Sequence, residues 1–271
     1  MGVPGVVHRL AGSLARCRAA DQASRMTSHP PRVTAVVGAS GGLGASTLAL
    51  AVGRRLAATG PPSVVLDLDL LRGGLEVTAG VEHLPGRRWH DLRHVRGRVP
   101  PEALVPVLPG EEGCGVLSAR GGAPPGVPDA AARDVVASLA AGPARLVLDV
   151  PLSSPVLPSI LASGPLVVLL VGLRTRALAD ADAAVSHLLD GPLASAGEPD
   201  LRLVTRGGRA GTDVVDEVVA HLGVAHLHHL PDDPQVPRDA ERGLFPGTGR
   251  DAVRRCADAV AAVIDSLAAA S

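Results

Sequence analysis

The chain has 271 residues, of which 46% are hydrophobic, which is enough to build the core of one large α/β domain. Its formal net charge of −1 argues against a dedicated nucleic-acid binder, because such proteins depend on a surplus of basic residues. The longest apolar run, residues 166–171, is far shorter than the ~20 residues that cross a bilayer, so no transmembrane segment is expected.

Residues 1–31 are predicted to form a flexible tail, and residues 32–271 are predicted to form the folded domain. From residue 32 onward, short apolar runs alternate with helical patterns, which indicates βαβ units and a parallel sheet. Strands are predicted at residues 33–37, 64–67, 115–118, 146–149, 166–171, 201–205 and 225–230. Helices are predicted at residues 46–58, 130–141, 177–189, 213–222 and 250–269. The expected fold class is therefore α/β, with three layers around a doubly wound, mainly parallel sheet.

Residues 80–112 interrupt this alternation and contain two proline-rich stops. Prolines end helices early, so we expect only short helices here, lying beside the sheet. Trp89 is predicted to be a packing anchor for this irregular segment.

A glycine-rich loop follows the first predicted strand. Residues 36–50 read VVGASGGLGASTLAL, so an apolar strand runs through a loop with four glycines into a helix. Glycines let backbone N–H groups converge on phosphate oxygens, and the helix N-terminus adds partial positive charge. The loop therefore predicts a nucleotide site, and two kinds of nucleotide fit it.

The first kind is a dinucleotide. The glycine spacing fits the loop of short-chain dehydrogenases, with Asp67 at the end of the second strand as a ribose ligand. Catalysis in that family uses a Tyr-x-x-x-Lys pair, and this chain contains neither tyrosine nor lysine. A working dehydrogenase of this kind is excluded, which leaves a non-catalytic, Rossmann-like NAD(P)-binding sensor as an alternative.

The second kind is a nucleoside triphosphate on a deviant Walker A loop, Lys-Gly-Gly-x-Gly-Lys-Ser/Thr. From residue 40 the chain reads SGGLGAST, so every glycine is present while Ser40 and Ala45 stand in place of the two lysines. Asp67 and Asp69 lie at the end of the second strand, and Asp149 ends a later strand in the manner of a Walker B acid. These acids favour the second interpretation.

With these motifs the chain resembles the MinD/ParA superfamily of P-loop NTPases. Within it, the chain resembles the CpaE/TadZ-type proteins and the actinobacterial septum site-determining (Ssd-like) branch. The resemblance covers residues 32–271 and includes GGLGAST, LDLDLLRGGLE, LVLDVP and LPDDPQVPRDAERG. The segment RRWHDL around Trp89 and the lysine-free loop are the features that resemble the CpaE/Ssd branch.

The resemblance implies a site for ATP or ADP with Mg²⁺. The phosphate would be held by the loop residues Gly41, Gly42, Leu43, Gly44, Ala45, Ser46 and Thr47. Ser46 would bind magnesium, Asp149 would reach the ion through water, and Asp67 would position the attacking water in a catalytic role. Since both loop lysines are missing, we expect weak binding and little or no ATP hydrolysis.

Three Arg-Gly-Gly triplets begin at Arg72, Arg120 and Arg206, each after a predicted strand. The carboxyl ends of parallel strands form the edge where ligands bind, and arginine can hold phosphate with two hydrogen bonds. We therefore predict that one of these arginines contacts the nucleotide. Arg120 is the preferred candidate because its strand is expected near the centre of the sheet.

The function implied by the resemblance is that of a nucleotide-binding regulator. It would help to position septum or Flp pilus/secretion machinery at the cell envelope, through protein partners and with a homodimer as a further expectation. Three scattered cysteines form no disulfide framework, which favours the cytoplasm, with recruitment to the membrane periphery by partners. A nucleotide-free interaction scaffold is a third interpretation.

Overall fold

A central sheet organises the part of the chain that the computed structural model describes, which is residues 33–70, 74–120, 126–189, 200–208 and 212–270. Its strands are β1 (Val33–Gly38), β2 (Ser63–Asp67), β3 (Gly110–Glu111), β4 (Cys114–Leu117), β5 (Arg145–Asp149), β6 (Leu166–Gly172), β7 (Asp200–Gly207) and β8 (Ala225–Pro231). Their order is β3-β4-β2-β5-β1-β6-β7-β8, and all neighbours are parallel except β3 and β4. The predicted mainly parallel sheet is confirmed.

Helices connect the strands and cover both faces of the sheet. They are α1 (Ala45–Ala57), α2 (Leu75–Thr78), α3 (Trp89–Leu92), α4 (Pro101–Leu104), α5 (Asp129–Ala140), α6 (Leu157–Leu161), α7 (Thr175–Leu189), α8 (Thr212–Leu222), α9 (Gln235–Glu241) and α10 (Ala252–Ala269). The Asp251 carboxylate begins α10 by accepting a hydrogen bond of 2.7 Å from the Arg254 backbone N–H. No helix in the described ranges is long and apolar enough to span a bilayer.

Two hydrophobic cores lie on the opposite faces of the sheet. Successive side chains of a strand point to opposite faces, so Val36 and Val168 face one core while Val37 and Val167 face the other. Helices α1 and α10 close the first core, and α5, α7 and α8 close the second. This double coverage explains why the strands read as continuous apolar runs in the sequence.

Every predicted strand and helix is present, with boundaries that differ by a few residues at most. The irregular segment contains α3, α4 and a short 3-10 helix (Val105–Val107), as expected, and also β3, which was not predicted. The tail, residues 1–31, lies outside the described residues, and so does Arg72.

The expectation that the strand before Arg120 lies near the centre of the sheet is wrong. That strand is β4, and only β3 lies beyond it at this edge. A tight turn with Glu112 at φ 46° and Gly113 at φ 82° folds β3 back onto β4 in an antiparallel pair. Because β3 occupies the outer side of β4, no further parallel strand pairs there.

Candidate functional site

The candidate site lies at the carboxyl edge of the sheet, where β1 passes into the glycine loop and α1. In the register of the sheet, Asp149 is the partner of both Val36 on β1 and Asp67 on β2. On the other side of β1, Gly38 pairs with Leu170 of β6. Strand order therefore places the loop between the two acids and the ends of β6 and β7.

The glycine loop is shaped to accept an anion. Gly42 and Gly44 have φ values of 79° and 88°, in the left-handed region that glycine adopts without strain. A Cβ atom added to Gly41, Gly42 or Gly44 would meet nothing within 4 Å, so the loop surrounds open space. Helix α1 starts directly after Gly44, with no side-chain cap and no acidic residue in its first turn. Its first N–H groups are thus available to a phosphate.

Ser46 and Asp149 meet beside this loop. The Ser46 hydroxyl lies close enough to the Asp149 carboxylate to affect its pKa, although the two residues lie about a hundred positions apart. Burial raises the pKa of Asp149 from 3.8 to about 7, Ser46 opposes this rise, and the nearby carboxylates of Asp67 and Asp69 add to it. A hydroxyl and a carboxylate in a cluster of negative charge form a donor set of the kind that Mg²⁺ prefers. The residues present therefore fit a magnesium ion.

Asp67 is buried and its oxygens are occupied by donors from the protein itself. One oxygen, Oδ2, accepts from Ser118 Oγ at 2.8 Å and from the Leu75 N–H at 3.4 Å. The other, Oδ1, accepts from the Asp69 N–H at 3.0 Å. Burial raises the pKa of Asp67, against the lowering effect of these hydrogen bonds. This environment favours a structural role for Asp67, whereas the half-buried Asp69 lies closer to solvent.

A network of buried polar groups around Trp89 and Arg88 packs against the end of β2 that carries Asp67. Trp89 Nε1 donates to the Asp67 carbonyl at 2.6 Å, and the Trp89 backbone N–H donates to the Ser118 carbonyl at 3.1 Å. The neighbouring Arg88 is fully buried and pairs with Glu76 at 2.5 Å. Its guanidinium also donates to three backbone carbonyls, those of Gly86, Val81 and Leu84.

The sequence predicted Trp89 as a packing anchor but gave no role to Arg88 or Glu76. A pairing of two charges twelve residues apart, one on the short helix α2 and the other in the irregular segment, has no periodicity that could reveal it. The available signal was the position of Arg88 directly before the single tryptophan of the chain. A charged residue next to a buried anchor is itself drawn towards the interior, where it requires a partner.

An open cavity of about 590 Å³ adjoins the other side of the glycine loop. Residues 40–43 of the loop form one wall, and the ends of β6, β7 and β8 form the others. Arg174, Arg176 and Arg206 line this cavity together with Asp180 and Asp232. Arg206 donates to the Pro231 carbonyl at 3.0 Å and pairs with Asp232 at 3.2 Å.

The structure therefore brings some of the predicted residues together and separates others. The loop residues 41–47, Ser46 among them, lie with Asp149 and Asp67 along one edge of the sheet. Arg206 lies beside the loop, across the cavity. Arg120 is exposed after β4 and does not line the cavity, so its contact with a nucleotide stays a prediction. Arg174 and Arg176 were not predicted as site residues.

The fold is that of the MinD/ParA ATPases. The structure is similar to a ParA family ATPase from Chlorobium tepidum TLS, with a TM-score of 0.72, 12% identity and coverage of 89% of this chain and 98% of that one. It is also similar to a MinC:MinD cell division protein complex of Aquifex aeolicus, with a TM-score of 0.66, 17% identity and coverage of 86% and 96%. A third similar structure is the septum site-determining protein MinD complexed with Mg-ADP from Pyrococcus horikoshii OT3, with a TM-score of 0.62, 17% identity and coverage of 87% and 96%.

At the level of sequence, the chain is 33% identical over 218 residues to two uncharacterized proteins of Mycobacterium tuberculosis. These are Rv3660c of strain ATCC 25618 / H37Rv and MT3760 of strain CDC 1551 / Oshkosh. The match covers 78% of this chain and 57% of each relative, so the chain spans little more than half of their length. No protein-family model matches the sequence.

Proposed function

We propose that this protein binds ATP or ADP with Mg²⁺ at the glycine loop and acts as a MinD/ParA-type regulator. The observation that carries the proposal is the proximity of the Ser46 hydroxyl to the Asp149 carboxylate, directly beside the uncapped start of α1. A glycine loop alone is a weak signal, whereas a loop hydroxyl that meets a strand-end carboxylate is the arrangement a magnesium nucleotide requires.

In this proposal the residues divide the work by their chemistry. Backbone N–H groups between Gly41 and Ser46 hold the phosphate oxygens, aided by the partial positive charge at the start of α1. Ser46 and Asp149 hold magnesium, which would neutralise part of the phosphate charge. Asp69, two residues beyond the end of β2, adds negative charge near Asp149, while Asp67 fixes the end of that strand through its hydrogen bonds.

The order of the strands favours this proposal over a dinucleotide sensor. In a Rossmann fold, the strand that carries the ribose-binding acid lies next to the strand that leads into the glycine loop. Here β5 lies between β1 and β2, so Asp67 is separated from the loop by a whole strand. The neighbouring acid is Asp149 instead, and it is buried close to the loop hydroxyl of Ser46 rather than open to a ribose.

We further propose that hydrolysis is weak or absent. Cationic groups on the transferring phosphoryl group are worth ~10³ to 10⁵ in rate, as arginine fingers demonstrate. Ser40 and Ala45 occupy the two lysine positions of the loop, and no lysine exists in the 271 residues to replace them. A second copy of the chain could not supply one either.

The cellular role we propose is the spatial organisation of septum or pilus/secretion machinery, in the manner of CpaE/Ssd-like proteins. The resemblance of the sequence motifs supports this role, as does the similarity of the fold to a MinD that was solved together with MinC. The protein would act from the cytoplasm through protein partners that recruit it to the membrane periphery, alone or as a homodimer.

A thermal-shift comparison of ATP, ADP, NAD and NADP, each with and without Mg²⁺, tests nucleotide binding. A ligand that binds only the folded state adds about 2.7 kcal/mol at a hundredfold excess over its Kd, so even weak ligands give a shift. We expect adenine nucleotides to raise the Tm more with Mg²⁺ than without. Ser46→Ala should abolish this dependence on Mg²⁺, while Ser159→Ala, whose hydroxyl donates to the Val156 carbonyl in its own turn, serves as the control. A shift with NADP alone would support the dinucleotide sensor instead.

Ala45→Lys tests the link between the missing lysines and hydrolysis. The new ammonium group should tighten nucleotide binding, because it restores a charge in the loop. Release of inorganic phosphate should stay near background, because Ser40 still leaves the second lysine position without a cation. Rapid phosphate release by the unmodified protein would contradict the proposed lack of hydrolysis.

A further inference from the structure

The cavity beside the glycine loop contains two arginines without a partner among the described residues. Arg174 directly precedes α7 and Arg176 belongs to its first turn, and both are exposed and line the cavity. Neither takes part in an ion pair or side-chain hydrogen bond with another described residue. Arg206, in contrast, already binds Asp232 and the Pro231 carbonyl.

The position of the two arginines is unfavourable for the free helix. The N-terminus of a helix carries partial positive charge and attracts acidic residues, yet the first turn of α7 contains none. Two cations next to this end repel the helix dipole and each other. This arrangement gains a physical rationale when an anion lies between them and the glycine loop.

Close packing holds the start of α7 against the loop. An ideal Cβ on Gly172, the last residue of β6, would lie 2.7 Å from the Ala177 Cβ and 3.4 Å from Leu43 Cδ2. A glycine is therefore needed for α7 and the loop to approach β6 this closely. The backbone fixes the same geometry, because the Ala39 N–H donates to Leu170 O at 2.9 Å and the Leu173 N–H donates to Arg206 O at 3.2 Å.

We propose that Arg174 and Arg176 bind the phosphates of the nucleotide held on the glycine loop and supply the positive charge that the lysine-free loop lacks. This inference rests on the proposed nucleotide binding and names the groups that make it possible. A guanidinium is always charged and can bind two phosphate oxygens at once, so it neutralises charge from outside the loop. Three arginines line the cavity when Arg206 is included, and two aspartates, Asp180 and Asp232, line it with them. The net formal charge of the lining is therefore +1.

The experiment measures Kd by isothermal titration calorimetry at low salt for adenosine, AMP, ADP and ATP, and for tripolyphosphate as an anion without a nucleoside. The variants are Arg174→Ala, Arg176→Ala and the double variant. Arg133→Ala is the matched control, because Arg133 is exposed on α5 and lies outside the cavity. Arg174→Lys and Arg176→Lys separate charge from fork geometry.

We expect the double variant to bind ATP at least about tenfold more weakly, which corresponds to about 1.4 kcal/mol. The loss should grow from AMP to ATP and should be absent for adenosine, and 0.5 M salt should reduce it by screening. The lysine variants should recover part of the affinity. Circular dichroism and the Tm should match those of Arg133→Ala, since both arginines are exposed.

Three other results have distinct meanings. If the unmodified protein binds ATP and the double variant binds it equally well, the inference is wrong while the proposed function stands. If tripolyphosphate binds and depends on the two arginines but no nucleotide binds, the anion site stands and the proposed function is wrong. If the unmodified protein binds neither nucleotide nor tripolyphosphate, both are overturned.

Discussion

Two regions at the same edge of the sheet differ in whether their charged side chains are buried and paired or exposed and unpaired. On the β2–β4 side, Asp67, Glu76 and Arg88 are buried and bonded to other groups of the protein. Ser118 donates to Asp67, and Arg88 pairs with Glu76. On the β6–β7 side, Arg174 and Arg176 are exposed around a cavity and have no partner in the described residues. The first region is closed by internal bonds, and the second is open.

This difference teaches which charges stabilise the fold and which are available to a ligand. A buried charge must be paired, because desolvation would otherwise cost several kcal/mol. An exposed charge keeps its water and remains free to exchange it for a phosphate. Substitutions on the closed side should therefore change stability, and substitutions on the open side should change binding.

Arg88→Ala should have the largest effect on stability. It leaves Glu76 as an unpaired buried charge and removes donors from three carbonyls, so we expect a loss of about 3–5 kcal/mol in the free energy of unfolding. Urea denaturation followed by circular dichroism measures this loss. Arg88→Lys should recover only part of it, since lysine cannot reproduce the planar fork.

Arg87→Ala is the matched control for this substitution. Arg87 is the preceding residue, but its side chain is 61% exposed and its contact with Asp91 is 3.8 Å long. Its removal should change the free energy of unfolding by less than about 0.5 kcal/mol. Equal effects of the two substitutions would mean that the burial and pairing of Arg88 do not account for its contribution to stability.

Asp149 lies between the two regions, and its raised pKa should make the free energy of unfolding depend on pH. Its pKa is about 7 in the folded protein and 3.8 without the fold, so protonation stabilises the native state. This contribution is fully present below about pH 4 and is lost as the pH rises through about 7. The free energy of unfolding should fall across this window by at most about 1.4 kcal/mol per pH unit.

Asp149→Asn should flatten this dependence without abolishing it, because the raised pKa of Asp67 acts in the same direction. Urea titrations at several pH values between 4 and 8 measure the slope in both proteins. An unchanged slope in the variant would mean that Asp149 titrates normally and that the carboxylate cluster is more solvated than its burial indicates.

Arg206→Ala should have only a small effect on stability. Its partner Asp232 is 60% exposed, and exposed ion pairs contribute about 0–1 kcal/mol. The free energy of unfolding should thus fall by less than about 1 kcal/mol, as it should for Asp232→Ala. A loss comparable to that of Arg88→Ala would place Arg206 with the structural charges of the closed side.

The sequence was sufficient to predict the fold because its signals are local and repetitive. Each buried strand is a short Val/Leu-rich run, and each long helix has an apolar face, so β6 and α10 are evident from residue types alone. The position of β4 was not predictable in this way. It depends on pairing with the two-residue strand β3, which has no hydrophobic pattern of its own.

The residues of the candidate site likewise include some that local sequence signals predict and some that they do not. Ser46, Asp67 and Asp149 follow from the ends of strong strands and a glycine loop, and the structure brings them to one edge. Arg174 and Arg176 were not predicted because they belong to none of the Arg-Gly-Gly triplets. The signal was nonetheless present, since Arg-Thr-Arg begins two residues after the end of β6, whose sequence is a continuous apolar run. Strand order, which tertiary packing decides, makes this strand end adjoin the loop.

The strand order also has a consequence for how the chain folds as it is synthesised. Strand β1 carries the glycine loop, yet its partners are β5 and β6, with Val33 paired to Leu146 and Thr34 to Leu166. Long-range parallel pairing is slow, because the entropy of closing the intervening loop is lost before any contact forms. Strand β1 therefore has no partner in the sheet until the residues of β5 and β6, more than a hundred positions further along the chain, have been synthesised.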